Sequence, residues 1–247
     1  VIWRKRSLKD FGDQSIQQLS TEFDLLVIDH PHVGVAAASG CLLPLETLLS
    51  AEMLGSLAHG SAGPGYLSYQ YEGYQWALPV DAAFQSACYR PDLFRSSLPA
   101  SWDQVFALAE WLRPKQQFLA MALCPTDALC SFLSLGAQLE AFGIEKSRDW
   151  LNRERGLKVL QLLRKLSQLV HPQSLYWNPI QLYDHMAGQE DVVYCPLAFN
   201  YTNYSRRGFR KHLLTFANPP GNRAVLGGAG IAVSAYGKNS RQAADYA

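Results

Sequence analysis

The segment from residue 23 to residue 32 has the sequence FDLLVIDHPH. Its apolar run at residues 25–28 is continuous and lies between two aspartates, a pattern typical of a strand buried on both faces of a parallel sheet. The run ends in the polar sequence DHPH, and open α/β sheets bind their ligands at the carboxyl ends of strands. The segment therefore predicts a buried parallel strand that ends in a group of polar side chains.

Helical and strand patterns alternate on both sides of this segment, which predicts the α/β class. A short strand is expected at residues 1–3 and a helix at 15–23. Beyond the segment, helices are expected at residues 44–59, 101–113, 127–142, 148–170, 179–187 and from 242, and strands at 118–123, 191–195 and 224–234.

Size and charge restrict the possible functions. The chain has 247 residues, of which 48% are hydrophobic and 17% charged, enough for one large domain or two lobes of a globular protein. Its net charge is +1, from 22 basic and 21 acidic side chains mixed along the sequence, which argues against nucleic acid or an anionic membrane as a partner. Apolar stretches such as residues 36–45 are shorter than the roughly 20 residues of a membrane span.

The cysteines give no sign of a metal or redox centre. Cys41, Cys88, Cys124, Cys130 and Cys195 form no CxxC pair and have no nearby histidine at zinc spacing. We therefore expect buried free thiols, no cofactor and no metal site. No Gly-x-Ser-x-Gly, Walker, dinucleotide or HExxH motif occurs, so the sequence favours a protein that is not an enzyme.

Several blocks resemble one known family when they are taken in chain order. The blocks are residues 23–49 with GCLLPL at 40–45, YEGYQWALP at 71–79 followed by YRPDLF at 89–94, PASWD at 99–103, and LGGAGIAV at 226–233. Together they resemble the family 1 extracellular solute-binding proteins, the group that contains maltose-binding protein. The sequences DHP at 29–31 and WALPVDAA at 76–83 are most similar to a subgroup of carbohydrate-binding members.

The resemblance implies a two-lobed periplasmic-binding-protein type II fold with a central cleft, lacking the first βα unit and the C-terminal helices of the family. Lobe I would consist of residues 1–81 and 227–247, and lobe II of residues 86–222. The chain would cross between them at hinges near 82–85 and 223–226.

The function implied by the resemblance is capture of a sugar or oligosaccharide for an ABC importer. The partners would be that carbohydrate and a membrane permease, with no nucleic acid, and the protein would be a monomer. It would lie outside the cytoplasm, in the periplasm or anchored to the membrane. The alternatives are an enzyme on the same fold, with Cys88, Cys195 and histidines as nucleophile and base, or a ligand-sensing domain.

Sugar sites combine hydrogen-bonding side chains with aromatic platforms, and the first candidates lie in the predicted first lobe. Under the resemblance, His30 and His32 face the cleft from a strand end; the alternative is a loop with solvated imidazoles, and a metal would require a third ligand that the sequence does not supply. Asp81 and Gln85 are the polar groups of the first crossing segment. Asp81 could instead bond backbone amides at the hinge. Among the aromatic residues at 66–76, Tyr69 is the candidate for ligand contact.

The second lobe supplies the remaining candidates. Asp127 lies where the family has a polar strand exit, although it fits the N-cap of the following helix equally well. Tyr194, Phe199 and Tyr201 follow the strand that carries the stacking aromatic of the family, and core packing is the alternative for each ring. We expect Asp81 and the 194–201 segment to face one another across a single cleft.

Overall fold

A computed structural model describes residues 1–6, 11, 14–143 and 150–247. The start of the helix predicted at 148–170 lies outside the described residues. The chain divides into two compact units, Val1–Ala82 with Gly227–Ala247, called unit 1 below, and Ala83–Leu226, called unit 2. The predicted boundaries of the lobes and hinges remain a prediction, because observing a relative motion of the two parts is what would test them. No helix among the described residues combines the length and apolar character that crossing a membrane requires.

Strands and helices alternate over most of the chain. The strands are β1 (Leu25–Asp29), β2 (Gln70–Tyr71), β3 (Tyr74–Gln75), β4 (Leu78–Pro79), β5 (Ala83–Tyr89), β6 (Phe118–Leu119), β7 (Val192–Phe199), β8 (Thr215–Ala217), β9 (Leu226–Gly227) and β10 (Ala229–Val233). The α-helices are α1 (Ile16–Ser20), α2 (His32–Ser39), α3 (Ala51–Gly60), α4 (Trp102–Leu112), α5 (Pro125–Gln138), α6 (Arg153–Ser167), α7 (Pro179–Gly188) and α8 (Ser240–Tyr246). A 3-10 helix at Pro172–Leu175 precedes α7.

The sheet of unit 1 has the strand order β1-β10-β4 and is antiparallel. The prediction of a parallel strand at residues 25–28 is wrong, because β1 pairs with β10, which runs in the opposite direction from Leu25↔Val233 to Asp29↔Ala229. Burial alternates along β1: Leu26 and Ile28 lie in the core, whereas the residues between them are half-buried. Leu25, Leu26 and Val27 line an apolar groove of about 840 Å³.

The first residues of the chain do not form the predicted strand. Residues 1–3 are irregular and exposed, and the indole nitrogen of Trp3 donates a hydrogen bond to the Tyr246 hydroxyl at 3.2 Å. Helix α1 is shorter than the predicted helix at residues 15–23, beginning after Ser15, whose hydroxyl accepts a hydrogen bond from the backbone N–H of Gln18.

The sheet of unit 2 is organised around β7. The strand order is β6-β7-β5-β8, with β7 parallel to β6 and antiparallel to β5. All residues of β7 except the last are buried. Val193 and Leu197 belong to a hydrophobic cluster with residues of α4, α5 and α6, whereas Val192, Cys195 and Ala198 belong to a second cluster with residues of α7. The strand therefore contributes to two cores.

Local capping sets the starts of two helices in unit 2. The predicted start of the helix at residue 101 is confirmed: Ser101 caps α4 by accepting a hydrogen bond from the N–H of Gln104. Asn178 and Gln181 form a reciprocal capping box at the start of α7. Such caps satisfy backbone donors that have no partner inside the helix.

Arg90, the residue after β5, joins the end of this strand to the end of α7. Its guanidinium is fully buried, donates two hydrogen bonds to the Asp92 carboxylate at 2.8 and 2.7 Å, and donates to the carbonyl oxygens of Met186 and Gln189. The hydrogen bonds from Arg90 hold the pKa of Asp92 below its usual value. One side chain thus fixes both the β5 exit and the last turn of α7.

Replacing Arg90 by methionine would leave the carbonyl oxygens of Met186 and Gln189 without these donors. We expect the free energy of unfolding to fall by about 2 kcal/mol, as for buried polar groups that lose their hydrogen bonds. Urea denaturation followed by circular dichroism measures this change. Arg95, which is exposed in the same unit, provides the control: Arg95→Met should change stability by less than about 0.5 kcal/mol. Equal losses in the two variants would contradict the anchoring role.

Candidate functional site

A compact group of polar and aromatic side chains lies at the carboxyl end of β1 in unit 1. The imidazole of His30 stacks on the ring of Tyr69 with 4.4 Å between centroids, and its Nε2 lies 2.7 Å from the hydroxyl oxygen of Ser68. His30 Nδ1 and the Tyr69 hydroxyl are both buried and have no hydrogen-bonding partner among the described residues. This strand end therefore holds two buried polar atoms whose hydrogen-bonding capacity no described residue uses.

Burial and charge act on His30 in opposite directions. Burial lowers the pKa of His30, while the negative charges of Asp29 and Asp81 raise it by smaller amounts. The Asp29 carboxylate Oδ1 is 3.9 Å from His30 Nδ1, beyond hydrogen-bonding distance. Burial also raises the pKa of the Tyr69 hydroxyl. Both groups are therefore neutral at pH 7 and suited to exchange hydrogen bonds with neutral ligand atoms.

The other two candidates of unit 1 differ in their surroundings. Asp81 is exposed, and its Oδ1 accepts a hydrogen bond from the backbone N–H of Ala229 at 2.6 Å. This is the contact expected from a carboxylate that stabilises the local backbone, and the charge of Asp81 also acts on His30 and Tyr69. His32 is the half-buried first residue of α2.

The lowered pKa of His30 predicts a pH dependence of stability. Because the folded-state pKa lies below 6.5, the unfolded chain binds the proton more strongly, and stability is lost as the pH falls below about 6.5. His30→Gln should therefore lose less stability than the wild type between pH 7 and pH 5, as measured by urea denaturation. The exposed His59 supplies the control, and His59→Gln should follow the wild-type curve. If the stability of the wild type and of His30→Gln changed equally with pH, His30 would not have a lowered pKa in the folded protein.

A second group forms in unit 2 where β5 faces the carboxyl end of β7. Gln85 and Phe199 are direct partners in the β5–β7 ladder. Gln85 is buried, its Oε1 accepts a hydrogen bond from the Ser134 hydroxyl at 2.6 Å, and the Ser134 oxygen accepts one from the N–H of Val225 at 2.8 Å. The Gln85 Nε2 is buried without a partner among the described residues. This amide N–H is a third buried polar group whose hydrogen-bonding capacity no described residue uses.

Asp127 lies near the start of α5, but it does not cap the helix. The N-cap is Cys124, so Asp127 is the third helical residue and the N-cap alternative is wrong. The Cys124 thiol donates to Asp127 Oδ2 at 3.0 Å, and burial raises the pKa of Asp127. Asp127, Ser131 and Ser134 recur at helical spacing and are all buried, which gives α5 a polar stripe.

The aromatic candidates of β7 separate into two environments. The Tyr183 hydroxyl donates to the carbonyl oxygen of Phe199 at 2.9 Å, and the rings of Tyr183 and Tyr201 are 6.4 Å apart. Burial raises the pKa of Tyr183 well above its usual value, and Cys195, Cys88, Tyr201 and Asp127 raise it by smaller amounts. Phe199 and Tyr201 are half-buried. Tyr194 instead is fully buried and stacks on Phe94 in the core, so its ring has no exposed face to offer a ligand.

The structure adds residues that sequence reasoning missed. Ser68 bonds His30, Ser134 bonds Gln85, and Tyr183 fixes the backbone at Phe199. Helical spacing from Asp127 would have found Ser134, whereas no local signal pairs Ser68 with His30, which is distant in sequence. Asp81 and the 194–201 segment belong to different units, so the expectation that they face one another remains a prediction.

Comparison with known proteins identifies the family. The family described as bacterial extracellular solute-binding protein matches residues 13–247. The chain belongs to this family of bacterial extracellular solute-binding proteins. The resemblance inferred from sequence blocks is therefore confirmed. No curated protein matches the chain at a significant level.

Solved structures of solute-binding proteins share the fold. An ABC transporter solute-binding protein from Thermotoga lettingae, bound with α-D-tagatose, has a TM-score of 0.74 and 17% identity over 93% of this chain and 63% of its own. An ABC substrate-binding protein from Listeria monocytogenes in complex with cycloalternan has a TM-score of 0.74 and 15% identity over 99% and 66%. One from Agrobacterium radiobacter in complex with ribitol has a TM-score of 0.72 and 19% identity over 96% and 63%.

These likenesses confirm the predicted α/β fold of two-lobed periplasmic binding proteins. The chain spans 63% of the length of the Thermotoga lettingae and Agrobacterium radiobacter proteins. The family is described by solute binding, which fits the expectation of a protein that binds its ligand.

The Gln85–Ser134 network predicts different costs for two neighbouring serines. Ser134→Ala leaves both Gln85 Oε1 and the Val225 N–H without a partner, so the free energy of unfolding should fall by about 1–3 kcal/mol. Ser131 is equally buried on the same helix, but its hydroxyl has no partner among the described residues, so Ser131→Ala should be neutral or stabilising. Urea denaturation of the two variants measures the difference. Equal costs would contradict the network.

Proposed function

We propose that this chain is the solute-capture component of an ABC importer and that it binds a sugar, polyol or oligosaccharide without transforming it. The observation that carries the proposal is a set of three buried polar atoms that have no partner among the described residues: His30 Nδ1, the Tyr69 hydroxyl and Gln85 Nε2. Carbohydrates present hydroxyl groups around a ring and apolar C–H patches on its faces, so they match such a combination. Membership of the extracellular solute-binding family supports the same function.

The proposed contacts divide between the two units. Unit 1 would supply His30, His32, Tyr69 and Asp81, and unit 2 would supply Gln85, Asp127, Phe199 and Tyr201. Within unit 2, Phe199 and Tyr201 are half-buried rings that keep surface for stacking, and Gln85 is the ladder partner of Phe199. Tyr194 would act through the core that supports this segment. We propose that Asp81 and the 194–201 segment contact one ligand, and that ligand contacts to both parts drive a hinge motion near residues 82–85 and 223–226.

The cellular context follows from the proposed role. A solute-binding component acts outside the cytoplasm, in the periplasm or anchored to the membrane, and delivers its ligand to a permease. The solved relatives contain α-D-tagatose, ribitol and cycloalternan, which are polyhydroxylated compounds of different sizes. We propose a ligand of this chemical class and a monomeric protein.

The nucleophiles of the enzyme alternative are poorly suited to catalysis. Cys88 and Cys195 are both fully buried opposite one another in the β5–β7 ladder. Burial raises the pKa of Cys195 to about 12 and that of Cys88 well above its usual value, so neither forms a thiolate at neutral pH. Nothing in their surroundings favours the enzyme alternative over binding.

A thermal-shift screen against monosaccharides, oligosaccharides and polyols tests the function. A true ligand at about 100 times its dissociation constant should stabilise the chain by about 2.7 kcal/mol, and mass spectrometry should recover it unchanged. Lack of any stabilisation across the panel, or conversion of a ligand to product, would contradict the proposal.

Asp81 allows a sharper test, because its structural and ligand contacts can be separated. Asp81→Asn keeps an oxygen that can accept from the Ala229 N–H but loses the charge, so the melting temperature of the empty protein should stay nearly constant. Ligand binding should weaken by about 1.5 kcal/mol, the lower end for hydrogen bonds to charged groups, as measured by calorimetry. The control is Glu52→Gln, an exposed acid in α3, which should bind like the wild type. Unchanged affinity of Asp81→Asn would remove Asp81 from the site.

A further inference from the structure

Three ligand-type side chains converge in unit 2 at the amino end of β7. His185 Nε2 lies 2.8 Å from Asp191 Oδ1, and His171 Nε2 lies 3.3 Å from Asp191 Oδ2. Each imidazole therefore lies next to a different oxygen of the Asp191 carboxylate. With one ligand atom taken from each residue, the three atoms lie within 4.8 Å of one another. The cluster of His171, His185 and Asp191 is separate from the residues of the proposed carbohydrate site.

Backbone and ring contacts hold the three side chains in place. His171 precedes the 3-10 helix at Pro172–Leu175 and its N–H donates to the carbonyl oxygen of Leu119 at 2.8 Å. The Asp191 carbonyl accepts from the N–H of Phe118 at 2.7 Å. His185 lies in the last turn of α7. Three segments that are apart in sequence are thus brought to one point by the β6–β7 pairing.

Aromatic rings form a wall on one side of the cluster. The indole of Trp177 stacks on His171 at 4.9 Å with nearly parallel planes and lies 4.7 Å from the ring of His185. Phe118 contacts His171 edge-on at 5.4 Å. The side chains keep 15% exposure at His171, 25% at His185 and 35% at Asp191, so solvent reaches the carboxylate. The rings fix the directions of the imidazoles while one side stays accessible to an ion.

We propose that His171, His185 and Asp191 bind a divalent transition-metal ion, with Zn²⁺ as the best match. Imidazole nitrogen with carboxylate oxygen is a ligand set that zinc accepts, and three protein ligands leave a fourth position for water. Ligand atoms about 2.0–2.1 Å from a tetrahedral ion lie about 3.3 Å from one another. The separations of 2.8 and 3.3 Å involve different oxygens of Asp191. With one ligand atom from each residue, the three atoms lie within 4.8 Å of one another, so the side chains must move together by up to about 1.5 Å to reach that geometry.

The cluster lies at the opposite end of β7 from the proposed carbohydrate group. The aromatic residue Phe199 ends β7, and Asp191 directly precedes its first residue. A strand of this length spans about 25 Å at about 3.3 Å per residue. An ion at Asp191 therefore does not touch the group around Phe199. It would tie the 3-10 helix at Pro172–Leu175 and α7 to the start of the central strand.

Ion binding requires a change of tautomer at His171. Its Nδ1 accepts a hydrogen bond from the Gln173 N–H at 3.2 Å, so the proton of the metal-free ring is on Nε2 and points to Asp191. Coordination through Nε2 moves that proton to Nδ1, and the Gln173 N–H loses its acceptor. The ion therefore competes with the cap of the 3-10 helix, and the amide signal of Gln173 reports its binding.

Calorimetric titration of the metal-free chain with Zn²⁺ tests the proposal. We expect one equivalent to bind, the Gln173 amide resonance to shift, and Co²⁺ to give visible absorption bands typical of a tetrahedral site. His185→Ala and Asp191→Asn should each weaken Zn²⁺ binding at least about tenfold. Replacing a residue that only supports a metal ligand typically costs about 10–100-fold in affinity, and these two residues are ligands themselves. Asp191→Asn preserves the size and hydrogen-bonding oxygen of the side chain, so it separates loss of coordination from loss of folding.

Two histidines outside the cluster provide matched controls. His212, in the same unit, lies 3.6 Å from a carboxylate oxygen of Asp92, and His59 is exposed in unit 1. His212→Ala and His59→Ala should bind Zn²⁺ like the wild type. Circular dichroism confirms that each variant is folded before titration. The proposal is overturned if no saturable binding occurs, or if His185→Ala and Asp191→Asn bind as tightly as the controls.

Discussion

The pairing of β5 with the buried strand β7 is the constraint on which unit 2 depends. From Gln85↔Phe199 to Tyr89↔Tyr194 the ladder is continuous except for one bulge, and β7 contributes side chains to two hydrophobic clusters. A strand buried in this way must have its backbone groups paired, so its register is strongly specified. Because the register is fixed, the ladder also sets which side chains meet at each end. The carboxyl end of β7 carries the candidate ligand group, and the amino end of β7 carries the cluster of His171, His185 and Asp191.

Sequence patterns predicted the elements better than their pairing. The apolar run at residues 25–28 correctly indicated a strand, since its residues have high burial propensity whatever the direction of the neighbouring strand. Its partner β10 lies at the far end of the chain, and a local pattern carries no information on the direction of so distant a partner. The start of α4 was predictable because Ser101 and Gln104 cap it within one turn. The strand expected at residues 1–3 fails because apolar residues alone do not supply a ladder partner.

In the candidate site, too, the sequence predicted the types of residues better than the contacts that they make. Polar side chains after strands were predictable, because His30 and Asp81 follow β1 and β4 closely in sequence. The helix that carries Asp127 was predicted, but its start was placed two residues late: Pro125 is a good first residue of a helix, and Cys124 takes the cap position. Tyr194 and Phe199 are on the same strand, yet one is in the core and the other half-buried. Tyr194 packs into a hydrophobic cluster that includes Phe94, whereas Phe199 ends the strand.

Unpartnered polar atoms link the stability of the chain to its proposed function. A buried donor or acceptor without a hydrogen bond costs about 1–3 kcal/mol. His30 Nδ1, the Tyr69 hydroxyl and Gln85 Nε2, which have no partner in the part of the chain that the structure describes, therefore destabilise the ligand-free chain. A hydroxylated ligand that bonds these atoms removes the cost and gains affinity from a group already fixed in place, because His30 is stacked on Tyr69 and Gln85 is bonded to Ser134. Hydrophobic replacements at these positions would stabilise the empty fold, but they would leave nothing to recognise a hydroxyl. The proposed ligand binding would give a reason for keeping polar atoms at these three positions.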